Sequence, residues 1–77
     1  MMAARSKAKA DLKAIGERIR EIRGDVLQEE LAVYLGISQG QLSKIERGKM
    51  APTVEILVRL SERFGKSVDW IVRGKDT

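Results

Sequence analysis

Residues 28–48, QEELAVYLGISQGQLSKIERG, decide the fold, because they read as two short helices joined by a tight turn. Leu31, Ala32 and Leu35 form one apolar stripe at helical spacing, and Leu42 with Ile45 forms another. Gly36 follows directly on Leu35, where a helix ends best in the left-handed conformation that glycine adopts without steric cost. Ser38 opens the second helix, with Gln41 three residues later at the spacing of a capping box. A small side chain at Ala32 lets the two helices cross closely, while Leu42 and Ile45 turn the second helix inward. The pattern predicts a helix-turn-helix.

Upstream, Leu12, Ile15, Ile19 and Ile22 repeat at helical spacing, which predicts a helix from about residue 11 to 23, with Glu17, Arg18, Arg20 and Glu21 on its other face. Gly24 stops it. Asp25 is placed to cap the next helix, with Gln28 completing a box. Downstream, Gly48 closes the second motif helix and residues 49–52 form a loop. Thr53 then caps a helix reaching Phe64, with Val54, Leu57, Leu60 and Phe64 on one face. Gly65 ends that helix, and Ser67 caps a last short one, VDWIV. The expected architecture is five helices in a single all-α domain over residues 11–74, with 75–77 a loose tail. Residues 1–10 carry Arg5, Lys7 and Lys9 and no acid, which fits either a solvated terminus or a basic arm on the DNA backbone.

The composition narrows the chemistry. Seventy-seven residues make one small domain, and 43% hydrophobic residues with only 4% aromatics suit packed helices. Fifteen Lys and Arg against eleven acids give a net charge of +4, which suits a polyanionic partner without demanding one. Having no cysteine and no histidine, the chain lacks disulfides, thiolate metal sites, the commonest metal ligand and the usual general base. No apolar run approaches the roughly 18 residues of a membrane span, and the first residues carry no signal-peptide core. The expectation is a cytoplasmic protein without cofactor, metal, membrane or evident small-molecule ligand, and not an enzyme.

Projected at about 100° per residue, Gln39, Gly40, Ser43, Lys44 and Arg47 share one arc of about 140° opposite Leu42 and Ile45. That arc carries no carboxylate, because the only acid of the helix, Glu46, projects beside Leu42. An α-helix fits the major groove, so this face suits bases and phosphates. Gln39 can pair bidentately with adenine, Lys44 and Arg47 can donate to guanine or phosphate, Ser43 is short and permissive, and Gly40 allows close approach. The amides at the start of both motif helices, at Gln28 and near Ser38, are suited to phosphate. Ser38 and Gln41 join Gln28 and these five as DNA contacts; the alternative is that Ser38 and Gln41 only cap and that the other residues are ordinary surface.

At these residues the chain resembles the lambda repressor and Cro, or Xre-type, family of helix-turn-helix regulators, through QEELAVYLGIS, LSKIERGKMAPTVEIL and SVDWIVRG within residues 12–74. The resemblance implies a five-helix fold, sequence-specific binding of double-stranded DNA, and a homodimer on a pseudo-palindromic operator. It implies that Gln28 contacts a phosphate and braces Gln39, that Ser38, Gln39, Gly40, Ser43 and Lys44 face DNA, and that Arg23 pairs with Glu46. A transcriptional repressor is the leading expectation. An antitoxin or restriction-modification controller would share the fold. A protein-interaction module without DNA reading would instead use the C-terminal end, where Trp70 and Ile71 are candidate contacts for a second protomer.

Overall fold

In the computed structural model, which describes residues 10–75, Asp11 opens the first helix, α1 (Leu12–Arg23), by accepting a hydrogen bond from the Ala14 amide at 3.0 Å. Four further helices follow: α2 (Gln28–Leu35), α3 (Gln39–Glu46), α4 (Val54–Phe64) and α5 (Val68–Arg73). No strand occurs among the described residues. The basic stretch expected to form an arm lies outside them, apart from Ala10, as do residues 76–77 of the tail.

The turn between α2 and α3 closes as its sequence predicts. Gly36 sits at φ 74°, the Gly36 amide donates to the Val33 carbonyl, and the Ile37 amide reaches back to the Ala32 carbonyl. This doubly bonded C-terminus uses up carbonyls that the helix itself cannot pair. Ser38 then starts α3 with both halves of the capping box, its Oγ accepting from the Gln41 amide and its own amide donating to Gln41 Oε1. The same closure recurs at the far end of α3, where Gly48 and Lys49 donate to the Ile45 and Lys44 carbonyls.

The core contains Ile15 and Ile19 of α1, Leu31, Ala32 and Leu35 of α2, Leu42 and Ile45 of α3, Ile56, Leu57 and Leu60 of α4, and Ile71 of α5. One expectation fails here. Val54 is 76% exposed, and Ile56 takes the core position instead. The helical wheel explains it, since Leu57, Leu60 and Phe64 share an arc with Ile56 while Val54 sits at its edge, in the first turn.

A second difference concerns the start of α2. Asp25 does not cap it. Leu27 occupies the extended position before the helix and makes no side-chain cap. Arg23 organises the connector instead, its Nη1 donating to the Val26 carbonyl while the Val26 amide donates to the Arg23 carbonyl. The Gln28 side chain is turned toward α3 rather than back onto its own helix start.

Two contacts hold α3 and α5 in place. A Cβ on Gly16 would lie 2.4 Å from the Ile45 carbonyl oxygen and 2.5 Å from that of Glu46, so α1 meets the end of α3 backbone to backbone. Half a turn further along α1, Arg18 donates its Nε to the Ile71 carbonyl and its Nη2 to the Val72 carbonyl. Those carbonyls end a helix of only six residues, too short to persist alone.

Candidate nucleic-acid interface

Helix α3 presents two faces. Leu42, Ile45 and Glu46 are buried, while Gln39, Gly40, Gln41, Lys44 and Arg47 are exposed and Ser43 is half-buried. The outward face is therefore free of carboxylates. A Cβ on Gly40 would have only Ser38 Oγ nearby, at 3.9 Å, so nothing within the protein requires glycine there.

The individual side chains differ in how free they are. Lys44 extends outward. Arg47, just past the helix, bends back so that its Nε donates to the Ser43 carbonyl at 3.3 Å. Ser38 and Gln41 serve each other in the capping box, which commits Gln41 Oε1 and leaves its Nε2 as the group available to a ligand. Of the eight residues assigned to DNA by the sequence, these two are thus tied first to the helix start.

Beneath this face lies a polar cluster. Glu46, with a side chain only 4% exposed, receives Arg23 Nε on Oε2 at 2.6 Å and Arg23 Nη2 on Oε1 at 2.9 Å. The fork matches a guanidinium to a carboxylate in the bidentate geometry that makes such pairs strong. The hydrogen bond to Glu46 raises the Arg23 pKa above the ordinary arginine value, burial opposes the rise, and the Coulombic attraction of the carboxylate adds to it. Gln28 Nε2 also donates to Glu46 Oε1, at 3.0 Å, and Gln28 Oε1 accepts from Gln39 Nε2 at 3.4 Å. Arg23, Glu46, Gln28 and Gln39 are thereby brought together from three helices. The Arg23–Glu46 pair and the Gln28–Gln39 contact were both expected. The bond linking Gln28 to Glu46 was not, because only the folded arrangement shows that one amide reaches both.

The candidate protomer contacts at the C-terminus divide. Ile71 has no exposed surface and belongs to the core, so it offers nothing to a second chain. Its place on the inner side of α5, beneath the carbonyl that Arg18 holds, accounts for this. Trp70 is half-buried, with Lys66 Nζ 4.8 Å from its ring centroid. Among the described residues no group of three or more His, Cys, Asp or Glu could hold a metal ion, and no helix is long and apolar enough to cross a membrane.

Five helices with a reading helix held at both ends and an acid-free outward face define a helix-turn-helix domain. The family model described as helix-turn-helix matches residues 17–71, and the chain belongs to that family. It is 34% identical over 61 residues to an SPbeta prophage-derived uncharacterized HTH-type transcriptional regulator, YonR, of Bacillus subtilis, covering 77% of this chain and 56% of that one. It is 37% identical over 57 residues to the uncharacterized HTH-type transcriptional regulator y4dJ of Sinorhizobium fredii, covering 71% of this chain and 74% of the relative. Among solved structures, the P22 c2 repressor in complex with a synthetic operator superposes with a TM-score of 0.73 at 33% identity, covering 79% of this chain and 96% of that one. The chain thus spans little more than half of the prophage regulator but nearly all of the repressor chain.

Proposed function

We propose that the protein is a sequence-specific regulator of transcription, a repressor, that places α3 in the major groove of double-stranded DNA as a homodimer on a pseudo-palindromic operator. The observation that carries this reading is the outward face of α3, which exposes Gln39, Gly40, Lys44 and Arg47 while its one acid is turned inward onto Arg23. A face serving only solvent would have no reason to segregate its charge so completely. The similarity to a repressor in complex with a synthetic operator supports a DNA partner for this fold.

Gln39 reads a base, Lys44 and Arg47 meet guanine or phosphate, and the amides at the start of α3 lie against the backbone of the duplex. The antitoxin and controller roles would use this face in the same way and differ only in the genes addressed. The test is selection from a pool of random duplexes, followed by titration at several salt concentrations. A recovered motif is expected, with log K falling linearly in log salt by about 0.9 per phosphate neutralised. Gln39→Ala is expected to lose about 1–3 kcal/mol of discrimination at one base pair. Weak binding without a motif would remove the regulator reading.

A further inference from the structure

Glu46 lies under the reading face, and its carboxylate communicates with that face through one amide. We propose that Glu46, acting through Gln28, sets which way round the Gln39 amide is presented to DNA, and is therefore a positioning residue for base specificity. The inference rests on the DNA reading above and deepens it.

The argument follows from which groups can donate. A carboxylate only accepts hydrogen bonds. Glu46, 4% exposed and forked by Arg23, thus obliges Gln28 to turn its NH2 toward Oε1, as the 3.0 Å contact shows. The Gln28 carbonyl oxygen must then face the other way, and it faces Gln39. Gln39 meets it with Nε2, since the opposite orientation would set two carbonyl oxygens against each other. At 3.4 Å this last contact is long, so it biases the Gln39 amide rather than locking it.

The amide so held still has one N–H and its oxygen for a ligand. That pair complements adenine, which offers N7 as acceptor and N6–H as donor in the major groove. Guanine offers two acceptors there, O6 and N7, and would meet the Gln39 oxygen with a like group. The same geometry narrows the role expected of Gln28. Its oxygen and one N–H are engaged within the protein, and the second N–H of its NH2 is left for a phosphate.

Two variants test the inference against the duplex selected by the wild-type protein, with A·T replaced by G·C at the pair read by Gln39. Gln28→Leu removes the relay but leaves the Arg23–Glu46 fork intact. It is expected to lower the adenine preference by about three- to tenfold, a larger loss on the A·T duplex than on the G·C one whatever change in overall affinity accompanies it. Glu46→Gln replaces an obligate acceptor with an amide that can donate to Gln28, reversing the chain so that Gln39 turns its NH2 outward. Its preference is expected to move toward guanine. Circular dichroism establishes whether Glu46→Gln folds, and if it does not, Gln28→Leu decides alone. An undiminished adenine preference in Gln28→Leu overturns the inference. So does equal weakening on every duplex with a slope shallower by about 0.9, which would make the Gln28 side chain a phosphate ligand only. A wild-type protein without any base preference is a separate result, visible before any variant is made, and it would end the DNA reading itself.

Discussion

Glu46 is the buried charged side chain around which α1, α2 and α3 meet. It accepts three hydrogen bonds, two from Arg23 and one from Gln28, at a site almost closed to water. Glu46→Ala would strand all three donors, and stranding the partner of a buried ion pair costs about 3–5 kcal/mol. For a domain of this size each kcal/mol is worth about 4–8 °C, so the thermal midpoint is expected to fall by at least about 12 °C. Glu55→Ala supplies the contrast. Its pair with Arg59 spans 3.1 Å, but the two side chains are 75% and 42% exposed, and its loss should stay within about 0.5 kcal/mol. An unchanged midpoint in the first variant, measured by thermal denaturation, would mean that the fork contributes no net stability. High pH does not offer the same test. The raised Arg23 pKa means that its share of the stability is fully present below the ordinary arginine value and is lost only as pH climbs past the raised one.

At the scale of elements, two glycines separate packing from function. Gly16 lies in the middle of α1, where alanine would ordinarily be favoured by about 1 kcal/mol on propensity. Its missing Cβ is replaced by the Ile45 and Glu46 carbonyl oxygens, both within 2.5 Å of where that carbon would sit. Backbone cannot rotate aside as a side chain can, so Gly16→Ala must part α1 from α3. Overpacking of this kind costs about 1–3 kcal/mol or more, which exceeds the propensity gain. Gly40 has open space around it, so Gly40→Ala is expected to leave the free protein as stable or slightly more so, while weakening the complex with DNA. Urea unfolding of both variants, with binding measured beside it, checks the pair. If Gly40→Ala binds normally, close approach at that position is not used. These glycines also show where the sequence was legible. The helix boundaries other than the start of α2, the turn at Gly36 and the capping box at Ser38 follow from local rules and came out as read. The Arg23–Glu46 tie came from family resemblance, since no local rule joins residues so far apart. Gly16 gave a signal that passed unused, namely a glycine inside the apolar stripe between Ile15 and Ile19. The Arg18 bonds to α5 and the bond from Gln28 to Glu46 gave none, because each depends on how distant helices meet.

At the scale of the whole molecule, the length of the reading helix argues for a second copy. The eight residues of α3 rise about 12 Å, which spans three to four base pairs at about 3.4 Å each. A word of four base pairs recurs by chance about once in 250, far too often to mark one operator among about a million competing sites. With one such helix among the described residues, the proposed homodimer would gain its specificity from a second protomer reading a second half-site. A two-fold pair of domains fixes the separation of their reading helices, so the half-sites must lie about 10–10.5 base pairs apart, or a multiple of that, to face the same side of the duplex. Trp70, rather than the buried Ile71, is the C-terminal side chain of the two with surface to offer such a partner. The expected complex has two protomers per operator by sedimentation. Inserting about five base pairs between the half-sites turns the second one to the opposite face and should lower affinity at least about tenfold, whereas inserting about ten should restore part of it. Binding indifferent to the insertion, with one protomer per half-site, would show that each domain acts alone, and the missing specificity would then have to come from residues other than those of α3.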